Sequence, residues 1–207
     1  DYTTDGVEYQ YQAVHFYHVS PLHGPTAGGT MVRISGENIY PPDVKGLKCV
    51  FGDAPPVDAV YESTTLIRCT TVAVMQPMEV TVSIHNNDAV YVSGVQFIYQ
   101  QAMRVEKLYP MSGPRTGGTT VTIHGSGFLQ TSHEYCRVGA DHLVVTAHFI
   151  TPNQVECSTP ATTIGYVSVE VSINNQDFSS SGVLFEYLGP PSVRGVRPGQ
   201  GPVGGGT

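Results

Sequence analysis

Apolar and polar side chains alternate along several short runs of the chain. Val32 and Ile34 are apolar, whereas Arg33 and Ser35 beside them are polar, and the run 80–84 alternates in the same way. A period of two is typical of a strand with one face in a core. No window keeps a helical period, and Gly and Pro interrupt the chain too often for long helices. The pattern therefore predicts an all-β fold.

The alternating pattern occurs twice at a fixed interval. The sequence Gly-Gly-Thr closes at Thr30, Thr119 and Thr207, which are 89 and 88 residues apart. This interval is the size of one small β-sandwich domain. Other landmarks repeat at nearly the same interval: Cys49 as Cys136, Cys69 as Cys157, Gly94 as Gly182, and the pair Phe97 and Tyr99 as Phe185 and Tyr187.

The repeat divides the chain into four parts. Residues 13–101 form repeat 1 and residues 102–189 form repeat 2. The opening DYTTDGVEYQY matches DFSSSGVLFEY at 177–187, so residues 1–12 are interpreted as the last strand of a preceding repeat. Residues 190–207 are interpreted as the first strand and GGT turn of a following repeat. We therefore expect this sequence to be a segment of a longer tandem array.

Glycine is concentrated in SGPRTGGTTVTIHGSGF at 112–128 and in the matching stretch upstream. Phosphate-binding loops are also glycine-rich, but they require a helix directly after the glycines, and here a strand follows. The stretch GQGPVG at 199–204 spells GxGxxG, yet its Pro202 and the expected strand make it a chance match. The glycines are predicted to shape turns: Gly24, Gly28, Gly29, Gly113, Gly117, Gly118, Gly204 and Gly205.

Composition narrows the classes of partner. The 207 residues carry 10 Lys+Arg against 17 Asp+Glu, a net charge of −7, and the basic residues are scattered. Nucleic-acid binding needs clustered positive charge, so no nucleic-acid partner is expected. No apolar run reaches the ~18–20 residues needed to cross a bilayer, so we expect no membrane insertion by this segment.

Four motifs in a fixed order resemble the IPT/TIG family. They are SPLHGPTAGGTMVRISGENI or YPMSGPRTGGTTVTIHGSGF, then CVFG or CRVG, then IRC or VEC, and a final GVQFIY or GVLFEY. The resemblance implies tandem immunoglobulin-like (E-set-like) β-sandwiches, as in plexins, growth-factor receptors, fibrocystin-like surface proteins and some transcription factors. It implies stacking and recognition roles, and neither catalysis nor a cofactor. Repeat 1 departs from the family with TTVA where repeat 2 has STPA.

The four cysteines distinguish the branches of that family. Cys49 and Cys69 each lie two residues from an inward-facing apolar residue, and Cys136 and Cys157 repeat the arrangement. We predict the disulfides Cys49–Cys69 and Cys136–Cys157, each worth roughly 3 kcal/mol in the chain-entropy model. Free buried thiols or a zinc site are the alternatives, although there is no CxxC or paired histidine spacing. Disulfides would indicate an oxidising compartment and disfavour the nuclear branch.

Other candidate chemistry is sparse. His15 and His18 would point to opposite faces of a strand and could not share a metal. Asp88 and Asp177 lie beside Asn pairs, as in calcium loops, but hairpin turns use the same residues. No nucleophile with an orienting base is visible, and no Asn-x-Ser/Thr sequon occurs. The sequence therefore predicts no enzyme, no cofactor and no metal site.

Three functions remain open. The first is a structural or adhesive segment of an extracellular filament, in contact with neighbouring repeats and with other chains. The second is a ligand-binding receptor ectodomain, with Tyr40 in the loop ENIYPPDVKG as the candidate partner contact. The third is an accessory domain of a secreted carbohydrate-active enzyme. The third usually needs one copy beside a catalytic domain, whereas at least four consecutive copies are implied here, and fold alone does not choose between the first two.

The spacing between repeats predicts stiff joints. Only Gln100 and Gln101 separate Tyr99 from Ala102, and the stretch LGPPS at 188–192 is also short. A flexible tether needs many Gly or Ser residues. We therefore expect the repeats to meet end to end and to form a rod.

Overall fold

The computed structural model describes residues 13–40, 46–86, 89–131, 133–139 and 143–205. Throughout those residues the regular structure consists of strands and no helix. In repeat 1 the strands are β1 (His15–Ser20), β2 (His23–Pro25), β3 (Met31–Glu37), β4 (Leu47–Phe51), β5 (Val57–Asp58), β6 (Val60–Ser63), β7 (Leu66–Thr70), β8 (Met78–Asn86) and β9 (Ala89–Gln100). In repeat 2 they are β10 (Arg104–Tyr109), β11 (Ser112–Pro114), β12 (Thr120–Ser126), β13 (Tyr135–Val138), β14 (Val144–Thr151), β15 (Gln154–Ser158), β16 (Gly165–Ser172) and β17 (Leu184–Leu188).

Repeat 1 is a sandwich of two sheets. One sheet has the order β1-β3-β7-β6 and the other β2-β9-β8-β4-β5. All pairs are antiparallel except β2 with β9, which is parallel because the chain crosses from one sheet to the other between β1 and β2. Because the chain changes sheets between β1 and β2, the GGT turn that follows β2 lies at the end of the sandwich.

Repeat 2 has the same two layers, joined at one edge. The layers β10-β12-β15-β14 and β13-β16-β17-β11 are continuous because β14 pairs with both β15 and β13. The corresponding segment of repeat 1 is interrupted at Ala59, which separates β5 from β6. The two repeats therefore share a plan and differ in how one edge is closed.

The alternation predicted from the sequence is confirmed. The inward residues Val32, Ile34, Val121 and Ile123 are at most 1% exposed. The ring pairs Phe97–Tyr99 and Phe185–Tyr187 pack edge to face, with centroids 5.0 and 5.1 Å apart. Each repeat has its own core, as expected for two sandwiches.

A disulfide crosses the layers of each sandwich. Cys49 on β4 is bonded to Cys69 on β7, and Cys136 on β13 is bonded to Cys157 on β15. All four residues are buried in the cores. The pairing is the one expected from the sequence, and the described residues hold no free cysteine.

The predicted orientation of His15 and His18 is wrong. The register of β1 against β3 shifts between Phe16 and His18, so Phe16 and Val19 both face the core. Both histidines are therefore exposed rather than on opposite faces, because a bulge inserts one extra residue into the alternation. Strand β10 shifts in the same way between Val105 and Lys107.

Residues 190–205 form no strand and are exposed throughout. The first strand predicted there is absent because a strand needs a neighbour to pair with, and no described strand lies beside it. Its Arg197–Pro198 bond is cis, like Ser20–Pro21 and Tyr109–Pro110. Assignment to a following repeat stays a prediction, and residues 1–12, 206 and 207 lie outside the described residues.

Candidate protein-contact site at the joint between the repeats

The GGT turn depends on two consecutive glycines. Gly28 and Gly29 have φ of 71° and 89°, and Gly117 and Gly118 have 75° and 79°. A Cβ on Gly28 would lie 2.5 Å from the main-chain carbonyl carbon of Val72. Left-handed backbone and this close approach both require glycine. The turn thereby delivers the next residue, threonine, to the end of the sandwich.

Two of the predicted turn glycines lie in strands. Gly24 and Gly113 lie in the short strands β2 and β11, so the prediction that they shape a turn is wrong. A Cβ there would lie 2.2 Å from Oγ1 of Thr30 and 2.3 Å from Oγ1 of Thr119, respectively. These two glycines therefore make room for the threonine. Gly205, with φ of 78°, closes a turn to Pro202 that spans Gly204.

The turn of repeat 1 carries Thr30 to repeat 2. Thr30 Oγ1 donates a hydrogen bond of 2.7 Å to Oδ2 of Asp177. Asn174 Nδ2 donates to the main-chain oxygen of His23 at 2.9 Å. Asp177 and Asn174 both belong to the loop 173–177 of repeat 2, which follows β16. These two hydrogen bonds thus hold the loop against the GGT turn of repeat 1.

Gln176 fills a vacant strand position in the sheet of repeat 1. Strand β1 ends at Ser20, opposite Arg33, so none of the described strands lies beside Met31 on that side. The Met31 N–H donates to Gln176 Oε1 at 3.1 Å, and Gln176 Nε2 donates to the Met31 oxygen at 3.0 Å. The side-chain amide therefore pairs with the main chain as a neighbouring strand residue would.

The loop that makes these contacts is held by its own hydrogen bonds. Asn174 Oδ1 accepts from the main-chain N–H groups of Gln176 and Asp177 at 3.0 and 2.9 Å. Asn175 has φ of 58°, a conformation that Asn tolerates better than most residues. Asp177 also accepts from Asn174 Nδ2 at 2.7 Å. The Asp177 carboxylate is thus used by protein donors, and Asp88 lies outside the described residues.

The linker between the repeats is short, as predicted, with one residue more than expected. Residues 101–103 connect β9 to β10, and Met103 at its end is buried. The Arg137 guanidinium lies over the ring of Phe178, 4.4 Å from its centroid, beside the linker. A groove of about 420 Å³ borders the linker, and a second groove of about 770 Å³ lies between repeat 1 and the loop 173–177 of repeat 2. Burial beside the larger groove lowers the pKa of His23.

The structure separates the residues that the sequence singled out. The cysteines lie in the cores, and Tyr40, 51% exposed, borders residues 41–45, which lie outside the described residues. Its role as a partner contact stays a prediction. Among the described residues no group of three metal-ligating side chains comes together. The sequence reasoning missed Thr30, Asn174 and Gln176, although the threonine of each GGT was a visible signal.

Sequence comparison identifies the domain type. The IPT/TIG domain profile matches residues 15–99 and 103–187, close to the limits of the two sandwiches. This chain belongs to the IPT/TIG domain family. The resemblance drawn from the four motifs is confirmed, and so is the tandem immunoglobulin-like fold. IPT/TIG domains are non-catalytic modules.

Plexins and a fibrocystin are among the relatives of this IPT/TIG chain. Human plexin-B1 is 30% identical over 211 residues, covering 98% of the chain and 10% of plexin-B1. Human fibrocystin-L is 36% identical over 102 residues, covering 48% of the chain and 2% of fibrocystin-L. The extracellular region of plexin A4 (domains 1 to 10) superposes with a TM-score of 0.61 at 20% identity, covering 94% of this chain and 17% of that one. The chain therefore spans a small part of each.

No helix among the described residues has the length and apolar character needed to cross a bilayer.

Proposed function

We propose that this chain is a non-catalytic segment of a plexin-like or fibrocystin-like ectodomain, in which the joint fixes the geometry of a ligand-recognition surface. The observation that carries the proposal is the set of four hydrogen bonds between repeat 1 and the loop 173–177. Plexin and fibrocystin relatives support the ectodomain role over the filament role. Two buried disulfides are consistent with an oxidising, extracellular location.

A fixed joint suits recognition because it preorganises the surface that both repeats share. A partner that contacts two domains at once loses less conformational freedom when those domains are already oriented. A linker of three residues alone allows bending at a few φ and ψ angles, so the side-chain contacts are what restrict it. The stiff rod of a filament is a second candidate, favoured by the same short linker, and its partners would be adjacent repeats and other chains.

Distance measurements between spin labels on the two repeats test the joint. We expect a narrow distance distribution for the native chain and a broad one for the double variant Gln176→Ala, Asp177→Ala. The matched control is Thr119→Val, which changes the equivalent turn at the far end of repeat 2. A broad distribution in the native chain would contradict the fixed joint.

Antibody staining tests the location independently. An antibody against residues 13–189 should label intact cells that express the full-length protein. Labelling only after permeabilisation would contradict the ectodomain role while leaving the geometry of the joint unaffected.

A further inference from the structure

The larger groove beside the joint is formed by both repeats. Repeat 1 contributes His18, His23 and Arg33 from β1, β2 and β3, and repeat 2 contributes Tyr135 and His133. Its volume is about 770 Å³, which is sufficient for an oligosaccharide segment or a similar ligand. Because its walls come from different domains, the groove exists only while the joint holds.

Among the described residues, the lining of the groove is rich in hydrogen-bond donors and has no carboxylate. Besides the arginine and the histidines it contains the amide side chains Gln130, Asn174, Asn175 and Gln176. The whole chain has 17 acidic against 10 basic residues, so a lining without an acid differs from the average surface. Such a surface is suited to a ligand that presents anionic and hydroxyl oxygens.

Arg33 is the fixed positive charge of this groove. It is exposed, and the ion pairs in the described part of the chain involve other basic residues, Lys48 with Asp58 and Arg68 with Glu62. Arg68 is its neighbour across β3 and β7, and Glu62 already neutralises that neighbour. The Arg33 guanidinium therefore remains available to an external anion.

The repeat plan does not require these side chains. At the positions of Arg33 and His23, repeat 2 has Thr122 and Ser112 in the same strands. A residue type present in one repeat and absent in the other is not needed to form the sandwich. The donor cluster is therefore a property of this joint and not of the IPT/TIG fold.

We propose that this groove binds a sulfated oligosaccharide, with Arg33 holding a sulfate group and the side chains of His18, Gln130 and Asn175 donating to sulfate and hydroxyl oxygens. Guanidinium groups bind tetrahedral oxyanions through paired N–H donors. An acidic peptide is disfavoured because a peptide strand needs open main-chain groups at a sheet edge. At the groove, Gln176 already occupies those of Met31.

Calorimetric titration of the purified chain tests the proposal. The probes are a heparin-derived hexasaccharide, its desulfated form, inorganic sulfate and a hexaglutamate peptide. We expect the sulfated hexasaccharide to bind best. Arg33→Gln should weaken the affinity for this hexasaccharide roughly 10-fold, because a charge-assisted hydrogen bond is lost. The control Arg115→Gln, an exposed arginine at the far end of repeat 2, should change binding less than about twofold.

The joint variant provides a second readout. Gln176→Ala, Asp177→Ala should weaken the hexasaccharide while each repeat still unfolds at its own temperature. Equal binding to Arg33→Gln and the native chain, tighter binding of hexaglutamate or inorganic sulfate, or no binding at all would each overturn the proposal. The inference names a ligand for the proposed ectodomain, but titration of the pure chain does not depend on cellular location, so the two can fail separately.

Discussion

The end of repeat 1 that meets repeat 2 and the corresponding end of repeat 2 have the same backbone and different surfaces. Both have a cis X-Pro bond, two glycines of positive φ and a glycine beneath a threonine. Ser20 and Leu22 at the first end correspond to Tyr109 and Met111 at the second, which are 74% and 64% exposed. The backbone of the turn is thus constant, whereas the side chains around it differ from joint to joint.

This difference shows which residues maintain the fold and which serve a particular contact. Thr30 and Thr119 occupy equivalent positions, and the main-chain N–H of each donates to a threonine hydroxyl of its own repeat. Among the described contacts, only Thr30 donates a hydrogen bond to a carboxylate of the other repeat. Substitutions made in pairs, one at each end, therefore separate the two roles.

The largest effect is expected from removing a disulfide in either repeat. The double variant Cys49→Ala, Cys69→Ala should lower the free energy of unfolding of repeat 1 by about 3 kcal/mol, and Cys136→Ala, Cys157→Ala should do the same for repeat 2. The closed loops are similar because the sequence separations are 20 and 21 residues. Chemical denaturation measures both values. Mass spectrometry that finds four alkylatable thiols in the unreduced chain would contradict the pairing.

Gly28→Ala and Gly117→Ala should each destabilise their own repeat by about 2 kcal/mol or more, since a positive φ and a backbone clash are imposed together. The added Cβ would lie 2.5 Å from Val72 and 2.6 Å from Ala161, respectively. Gly29→Ala is the control: with no atom within 4 Å, it should cost only about 1 kcal/mol. Thermal unfolding measures all three, and equal losses at Gly28 and Gly29 would contradict the clash.

A smaller effect is expected at the joint itself. Thr30→Val and Asp177→Ala should show a coupling energy of about 1 kcal/mol in a double-mutant cycle, because each removes the same hydrogen bond. The same cycle with Thr119→Val in place of Thr30→Val should show none. Measurable coupling between Thr119 and Asp177 would indicate a general effect on repeat 2.

The smallest effect is a pH dependence at His23. Burial lowers its pKa below the ordinary 6.5, so the folded chain binds a proton less readily than the unfolded chain. Stability that is present above pH 6.5 should therefore decrease as the pH falls below it. When the pH is lowered from above to below 6.5, we expect the unfolding temperature of repeat 1 to drop by about 1–2 °C more in the native chain than in His23→Gln. Identical pH profiles for the two proteins would contradict this role.

The strands and cores were predictable because alternation follows directly from backbone geometry. Val32, Ile34 and their counterparts face inward in every strand where the period of two continues. Prediction was wrong at His15 and His18 because a bulge adds one residue to the alternation and places Phe16 and Val19, three positions apart, on the same face. The need for glycine at position 24 was also missed, because the close approach of Thr30 to that position exists only in the folded sandwich.

The joint could not be predicted from local patterns. Gln176 and Met31 are 145 residues apart, and the amide of one meets the main chain of the other only because two folded domains share an end. The Asn-rich loop was interpreted as a turn, which is correct for its own backbone. Its contact with repeat 1 depends on how the two repeats are oriented. The hydrophobic periodicity of the chain carries no information about that orientation.

The same separation has a consequence for the order in which the chain folds. Strand pairs such as β8 with β9 connect residues that are close in sequence, whereas the bonds at the joint connect residues 145 to 151 positions apart. Because loop closure over long separations is slow, and domains fold as units from the N-terminus during synthesis, the joint should form last. Repeat 1 would be complete before its partner loop leaves the ribosome, and until then its sheet edge at Met31 lacks the side chain that covers it.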